Sequence, residues 1–314
     1  MLKNILQIKN DKHLLNAISS LLKDDFIHYI DIGAADGIET RWKKIMKHIQ
    51  YVGFEPDERS ETEVNFSNES NSNKKIFRKA VWEYSKLLKI NLAKKPQVSS
   101  FFLPDMNYLD LFPNPDRFNI ERTIELESIK LDDLNLEGSD FIKLDIQGSE
   151  LAVLKGAHNV LEKCLGLEVE LEFFQIYKEQ PLFGEIVNYL KNHNFIFIDF
   201  VNIIRWERNA FDGYGQSVFA DGLFLITPEY LYSSKKSKVF FSRYLCICLL
   251  YLRFDLIDAF INLLSLEEKK YYNSFLNDIK PIRVNHFRIR KFNYIFNLIL
   301  RFFGGKEYKS HLLY

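Results

Sequence analysis

The sequence predicts an α/β fold, a doubly wound and mostly parallel sheet, followed by a helical C-terminal extension. Three observations carry this. Up to residue 227, short apolar runs alternate with segments of helical period, and strands alternating with helices build parallel sheets. The first apolar run ends in Asp31 and the glycine-containing turn Gly33-Ala34-Ala35-Asp36-Gly37, the way a sheet brings backbone up to a ligand. After Thr227 the alternation stops, and 235–314 reads as helices rich in Phe, Tyr, Leu and Lys/Arg.

The elements follow in order. Residues 11–23 place Leu14, Leu15, Ile18, Leu21 and Leu22 at helical spacing. Residues 26–32 read as a strand, 38–49 as a helix and 51–56 as a second strand. A helix is expected over 58–68, a polar loop after it, and a third strand over 75–82. Residues 86–93 alternate at period two, as a strand or hairpin arm does. Residues 94–120 carry prolines 96, 104, 113 and 115 with little periodicity, an excursion over the surface. Strands are expected over 123–131, 140–146, 165–174, 195–201 and 217–227, the last broken near Asp221-Gly222. Helices are expected over 149–164 and 183–194. The domains read as 1–230 and 231–314, with the boundary in 228–237.

Composition narrows the class. With 314 residues, 47% hydrophobic, the chain has ample material for one large domain and an appendage. Formal net charge is zero, so no whole-chain attraction to nucleic acid is implied. Residues 231–314 hold 15 Lys+Arg against 6 Asp+Glu, a net of +9, leaving 27 against 36 in the rest. Clustered positive charge is what phosphate binding needs, and the acidic first part lacks it, so nucleic acid is not the expected partner. Cys164, Cys246 and Cys248 cannot make a disulfide framework, and the Cys246/Cys248 pair reads as buried core. No signal peptide is expected, because residues 1–15 hold no uninterrupted apolar run. The most apolar stretch, 244–252, falls well short of the roughly 20 residues that span a bilayer. The expected location is cytoplasmic.

The glycine turn excludes two ligands. A dinucleotide turn wants G-x-G-x-x-G, and Ala35 and Ile38 stand where its second and third glycines would be. A P-loop ends in Gly-Lys-Ser/Thr, which is absent here. Glu55 closes the second strand 22 positions after Gly33, about the spacing of an acid that accepts ribose hydroxyls. Ribose and an ammonium without a pyrophosphate describe S-adenosylmethionine. Glu168, Glu170 and Glu172 alternate on one face of a strand that has no solvated face, so Glu170 and Glu172 are expected to face the cleft. Tyr177 is a weaker candidate. The histidines have no metal-ligand spacing, and no metal site is expected, although Asp132, Asp133 and Asp145 are carboxylates of the kind that hold Mg²⁺.

The stretch 129–157 carries a more specific signal. Leu131-Asp132-Asp133, then Asp140, Lys143, Asp145, Gly148 and Glu150, then Leu154-Lys155-Gly156-Ala157, resemble the FkbM family of S-adenosylmethionine-dependent methyltransferases. Val98–Phe102 and residues 167–183 fit the same pattern, and the resemblance runs from about Tyr29 to Thr227. Gln147 departs from it, because an acid is usual there. The resemblance implies a class I methyltransferase, Rossmann-like, with a seven-stranded sheet. It also implies that Asp31, Gly33, Ala35 and Gly37 form the cofactor loop, that Glu55 binds the ribose, and that Ala80 and Val81 lie near the adenine. Asp145 would sit by the transferred methyl group, as base or as partner of the methionine ammonium, with Glu150 in the first turn of the next helix. Lys143, on the same strand face as Asp145, is expected to be structural or to tune Asp145.

The implied activity is methyl transfer to a hydroxyl of a sugar, glycan or small-molecule acceptor. Phe101, Phe102, Tyr108 and Phe112 offer ring faces for such a ligand. The competing reading is a non-catalytic scaffold of the same fold. In it, the basic helices of 231–314 dock to a membrane surface or a partner protein. Those helices also suit packing on the main domain or on a second copy of the chain, a homo-oligomer.

Overall fold

The computed structural model describes residues 2–59, 73–208, 215–234 and 237–302. The chain divides into two compact units. One comprises Ile27–Glu39 and Ile49–Thr227; the other comprises Met1–Phe26, Thr40–His48 and Pro228–Tyr314.

The first unit is built on seven strands: β1 (Ile27–Ile32), β2 (Ile49–Phe54), β3 (Lys74–Phe77), β7 (Phe141–Leu144), β8 (Gly166–Glu172), β9 (Phe195–Trp206) and β10 (Gln216–Ile226). Their order is β3-β2-β1-β7-β8-β10-β9. β1 pairs in parallel with β2 and β7, β2 with β3, and β7 with β8, while β10 is antiparallel to both β8 and β9. This is the expected doubly wound, mostly parallel, seven-stranded sheet. Tyr51, Tyr29 and Phe141 stand opposite one another on β2, β1 and β7, stacked with centroids 5.9 and 5.8 Å apart. All three are buried, and they fill the face of the sheet below the strand ends that carry the site.

A smaller sheet lies between β3 and β7 in sequence. β6 (Ile120–Ile129) pairs with β4 (Ala80–Val81) in parallel and with β5 (Leu87–Ala93) antiparallel. The single strand expected over 75–82 is therefore two strands in two sheets. The break falls at Arg78-Lys79, where the Arg78 guanidinium donates to the Asp57 carbonyl at 2.7 Å. The proline-rich excursion packs down. Leu109 and Phe118 form a core with Ile176, Tyr177 and Val218, and the backbone of Asp105 donates to Ile176 at 2.8 Å.

Three other expectations change. The long helix over 149–164 is two, Glu150–Lys155 and His158–Lys163. A Cβ on Gly156 would lie 2.3 Å from the Trp82 carbonyl, and the second helix is started by Asp132, whose carboxylate accepts from the N–H groups of Asn159 and Val160. The helix over 38–49 reduces to one turn, Thr40–Lys43, and a 3₁₀ turn, Met46–His48. β10 is unbroken against β8, and the irregularity at Asp221/Gly222 is a register shift against β9 only. Most of the helix expected over 58–68 lies outside the described residues.

The second unit is helical, and its membership extends beyond 231–314. The helix Leu2–Leu22 packs against Lys238–Leu250 and Asn273–Phe302. Trp42 is fully buried, edge-on to Tyr251, whose other neighbour is the Arg41 guanidinium 4.4 Å from its ring. Arg243 holds Asp25 through two charge-assisted bonds of 2.7 and 2.9 Å. Cys246 and Cys248 are buried core, because Lys238–Leu250 is apolar nearly all round. No helix among the described residues is long and apolar enough to cross a membrane. The side chains of 292–302, in the basic aromatic stretch at the end, lie outside the described residues.

Gly33 is the tightest point of the sheet domain. Its φ is +90°, and a Cβ there would fall 1.8 Å from the Asp145 carbonyl oxygen, a distance no side-chain carbon tolerates. Gly33→Ala forces the turn after β1 away from the turn after β7 and strains a left-handed backbone. We expect a loss of about 2 kcal/mol or more in denaturant unfolding, and a change within about 0.5 kcal/mol would refute this reading.

Candidate active site

The strand order reverses between β1 and β7, and in open α/β sheets ligands bind beyond the C-terminal strand ends at that point. A cleft of about 450 Å³ opens there. Its floor is Gly33 and Ala35 after β1, Glu55 after β2 and Asp145 after β7, and its opposite wall comes from the excursion, with Pro96, Ser99 and Phe101. The sheet thus brings together four of the residues that the sequence singled out.

The others are placed differently. Asp31 is buried and lies behind the floor, where the Tyr51 hydroxyl donates to its Oδ2 at 2.9 Å. Gly53 makes room for this, since a Cβ there would meet the Tyr51 ring at 2.9 Å. Burial pushes the Asp31 carboxyl up to about 6, against the pull of Lys143 and of the Tyr51 hydrogen bond. Its Oδ1 is buried without a hydrogen-bond partner. Gly37 closes the turn at φ +70°, with its N–H on the Ala34 carbonyl at 3.1 Å, and does not line the cleft. Ala80 and Val81 are buried in β4 against β6, outside the lining of the cleft. The apolar surface there comes instead from Pro56, Ile90, Pro96 and Phe101. Of the excursion's aromatics, Phe112 is core, edge-on to Tyr108 and Trp206.

Glu55 borders the cleft and accepts the Asp57 N–H at 2.7 Å. Burial raises its carboxyl to about 7.

Behind Asp145 lies a cluster of acids around one cation. Lys143 stands opposite Asp31 on β1 and Glu168 on β8, and its Nζ donates to Asp145 Oδ2 at 3.2 Å. Burial works against the Lys143 ammonium, but Asp145, Asp31, Glu39 and Glu168 outweigh it and hold the group protonated. Oxygens of Glu150, Glu170 and Glu172 lie within 4.8 Å of one another, all buried. Glu150 accepts the N–H groups of Ile146 and Gly148 at 2.9 and 3.3 Å. Burial raises its carboxyl to about 7 and drives Glu170 and Glu172 well above the usual carboxylate range, Asp145 adding to the rise of Glu170. These three are placed to share protons behind the wall, whereas Asp145, with a third of its side chain exposed, meets the cleft.

Arg59 escaped the sequence reading, which also gave no contacts for Ser99, Ser100 or Tyr177. The Arg59 guanidinium clasps Asp57 and also donates to Ala93 O and Ser99 Oγ, each at 2.9 Å. It thereby pins the excursion to the end of β2. Ser100 Oγ donates to the Gln147 carbonyl at 2.7 Å. The Tyr177 hydroxyl lies 2.9 Å from the Val98 carbonyl and 3.0 Å from Gln147 Oε1. Only the Ser-Ser pair and Tyr177 left a trace in the sequence, and Arg59 left none.

The raised carboxyls have a consequence for stability. A buried acid with a raised folded pKa binds its proton more tightly in the folded than in the unfolded chain. Its contribution is present below the unfolded value near 4.5 and is lost as pH rises. Glu170→Gln keeps the shape and removes the titration. We expect its melting temperature to fall less between pH 5.5 and pH 8 than that of the native chain; parallel curves would refute it.

The FkbM methyltransferase domain matches residues 31–197 of this chain. Among solved structures, a methyltransferase FkbM from Methylobacillus flagellatus KT is similar at 15% identity and TM-score 0.38, covering 64% of this chain and 44% of its own. The chain therefore spans less than half of that structure. The precorrin-6y C5,15-methyltransferase of Geobacter metallireducens is similar at 12% identity and TM-score 0.35, covering 67% of this chain and 86% of its own. The 1,6-didemethyltoxoflavin-N1-methyltransferase of Burkholderia thailandensis, solved with S-adenosylhomocysteine, is similar at 10% identity and TM-score 0.34, covering 69% and 79%. No curated protein matches the chain. The domain match spans more than half of the sequence and takes in both Asp31 and Asp145, and on it the chain belongs to the FkbM methyltransferase domain family.

Proposed function

We propose that the chain transfers a methyl group from S-adenosylmethionine to a hydroxyl of a sugar, glycan or small-molecule acceptor. The observation that carries this reading is the convergence of Gly33, Glu55 and Asp145 on one cleft at the strand-order reversal. The residues present suit such a cofactor. The Gly33 turn admits close backbone approach, and three acids, Glu55, Asp57 and Asp145, border the space, Asp57 being paired with Arg59. The one guanidinium in the lining, Arg59, is engaged with Asp57, Ala93 and Ser99, so the cleft favours a cationic, hydroxyl-bearing ligand over a pyrophosphate.

When bound, the cofactor's sulfonium supplies an already electrophilic methyl group, and the protein's task is mainly positioning. Glu55 is placed to accept ribose hydroxyls. Asp145 is the carboxylate at the cleft wall and the one in reach of an acceptor's proton, whereas Glu150, Glu170 and Glu172 are buried behind it. Lys143 keeps Asp145 in place from behind. Phe101, edge-on to Trp82 at 5.2 Å, gives the cleft an apolar wall. The basic helical unit that includes 231–314 is proposed as a contact surface for a membrane, a partner protein or a second copy.

Two measurements test this. In calorimetric titration, the native chain is expected to bind S-adenosylmethionine, and Glu55→Ala to bind it about tenfold more weakly or worse; a folded native chain that binds none sinks the reading in favour of a scaffold. With an acceptor in hand, Asp145→Asn is expected to slow transfer by about 10²–10⁴, as loss of a general base does, with a smaller effect on cofactor binding. Equal turnover by native and variant would move the base elsewhere.

A further inference from the structure

Gln147 lines the cleft beside Asp145. Its amide is engaged on every side. Nε2 donates to Asp145 Oδ1 at 3.3 Å and to Glu170 Oε2 at 2.9 Å, and Oε1 faces the Tyr177 hydroxyl at 3.0 Å. An amide nitrogen carries two protons, and both are used, while the oxygen shares the single Tyr177 proton with the Val98 carbonyl. Asp145 sets which end is which, because turning the amide over would put its oxygen against the Asp145 carboxylate.

The backbone is held just as closely. Gln147 sits at φ +54°, a left-handed conformation that costs a residue with a Cβ about 1 kcal/mol or more. Gly148 follows at φ +100°, and a Cβ there would meet the Gln180 side chain at 2.9 Å. The Ser100 hydroxyl holds the Gln147 carbonyl from the excursion side. Strain of this kind persists where surrounding contacts over-determine it, and here they hold the amide between Asp145 and Glu170. Asp145 is thus gripped from both ends, by Lys143 on Oδ2 and by Gln147 on Oδ1.

We propose that Gln147 is a positioning residue, whose side-chain amide fixes the Asp145 carboxylate at the cleft wall so that a charge on the bound ligand meets it in one place. This rests on the proposed use of S-adenosylmethionine. Without the amide, Asp145 keeps Lys143 but loses its second tether and turns about it. Coulomb attraction at contact distance falls with each ångström of displacement, so a ligand with the extra sulfonium charge suffers more than its neutral thioether counterpart. A residue that merely braces the loop would weaken both ligands together.

The test is calorimetric titration of the full chain with S-adenosylmethionine and with S-adenosylhomocysteine, for the native protein, Gln147→Met and Gln147→Leu. Both variants remove the two donors without adding a charge, Gln147→Met at the native length and Gln147→Leu with a shorter side chain. In both, S-adenosylmethionine is expected to weaken about tenfold and S-adenosylhomocysteine about threefold or less. Should Gln147→Leu unfold, Gln147→Met decides alone. Equal weakening of both ligands, or none, overturns the proposal while native binding leaves the methyltransferase reading standing. A native chain that binds neither ligand removes that reading, and the proposal with it.

Discussion

The buried ammonium of Lys143 is the interaction on which the rest of this site depends. It sits on a central strand, opposite Asp31 on one side and Glu168 on the other, and reaches forward to Asp145. A lysine without partners there would lose its proton or unfold the sheet. Conversely, four surrounding acids without the lysine would repel one another at low dielectric. Neither half is tolerable alone, so cation and acids are fixed together, and with them the direction in which Asp145 points. The cluster forms where strand order reverses, the point at which open α/β sheets place their ligand crevice.

The cleft is shared between segments far apart in the chain. The floor is sheet, rigid and closely packed, with Gly33 nearly touching the Asp145 carbonyl. The opposite wall is the excursion, held by individual polar contacts: Arg59 on Ser99, Ser100 on Gln147, and Tyr177 beside Val98. A rigid floor with a wall fastened by a few hydrogen bonds suits a site that must place one ligand accurately and still admit a second. Burial raises the carboxyls of Glu150, Glu170 and Glu172, and of the acids around Lys143 it is Asp145 that meets the cleft.

The elements legible in the sequence were those with clear periodicity. The strands 26–32, 140–146 and 165–174 appear within one or two residues of expectation, because parallel strands buried on both faces are nearly continuous apolar runs. Elements went astray where a tertiary contact cut a good pattern. Residues 75–82 looked like one strand, yet Arg78 is tied to Asp57 and the halves join different sheets. Residues 149–164 looked like one helix, yet the backbone at Gly156 presses against Trp82 and Asp132 starts a new helix from elsewhere. Residues 40–48 read as part of the sheet domain and belong to the helical unit, because Trp42 finds its burial beside Tyr251.

The sequence by itself determined the fold class, the turn after β1, the acid after β2 and the Asp140–Glu150 motif that marks the family. All of these are local patterns, written in residues close together along the chain. Only the tertiary structure decided which acids meet the cleft. Asp31 and Asp145 both end central strands, and nothing local says that Tyr51 covers the first while the second stays open. Nor does a period of two reveal that Glu170, bonded to Gln147, and Glu172 are both buried, or that Arg59 binds the excursion. Burial and hydrogen-bond partners are properties of neighbours brought together by folding, and they set the charge and the exposure of each group.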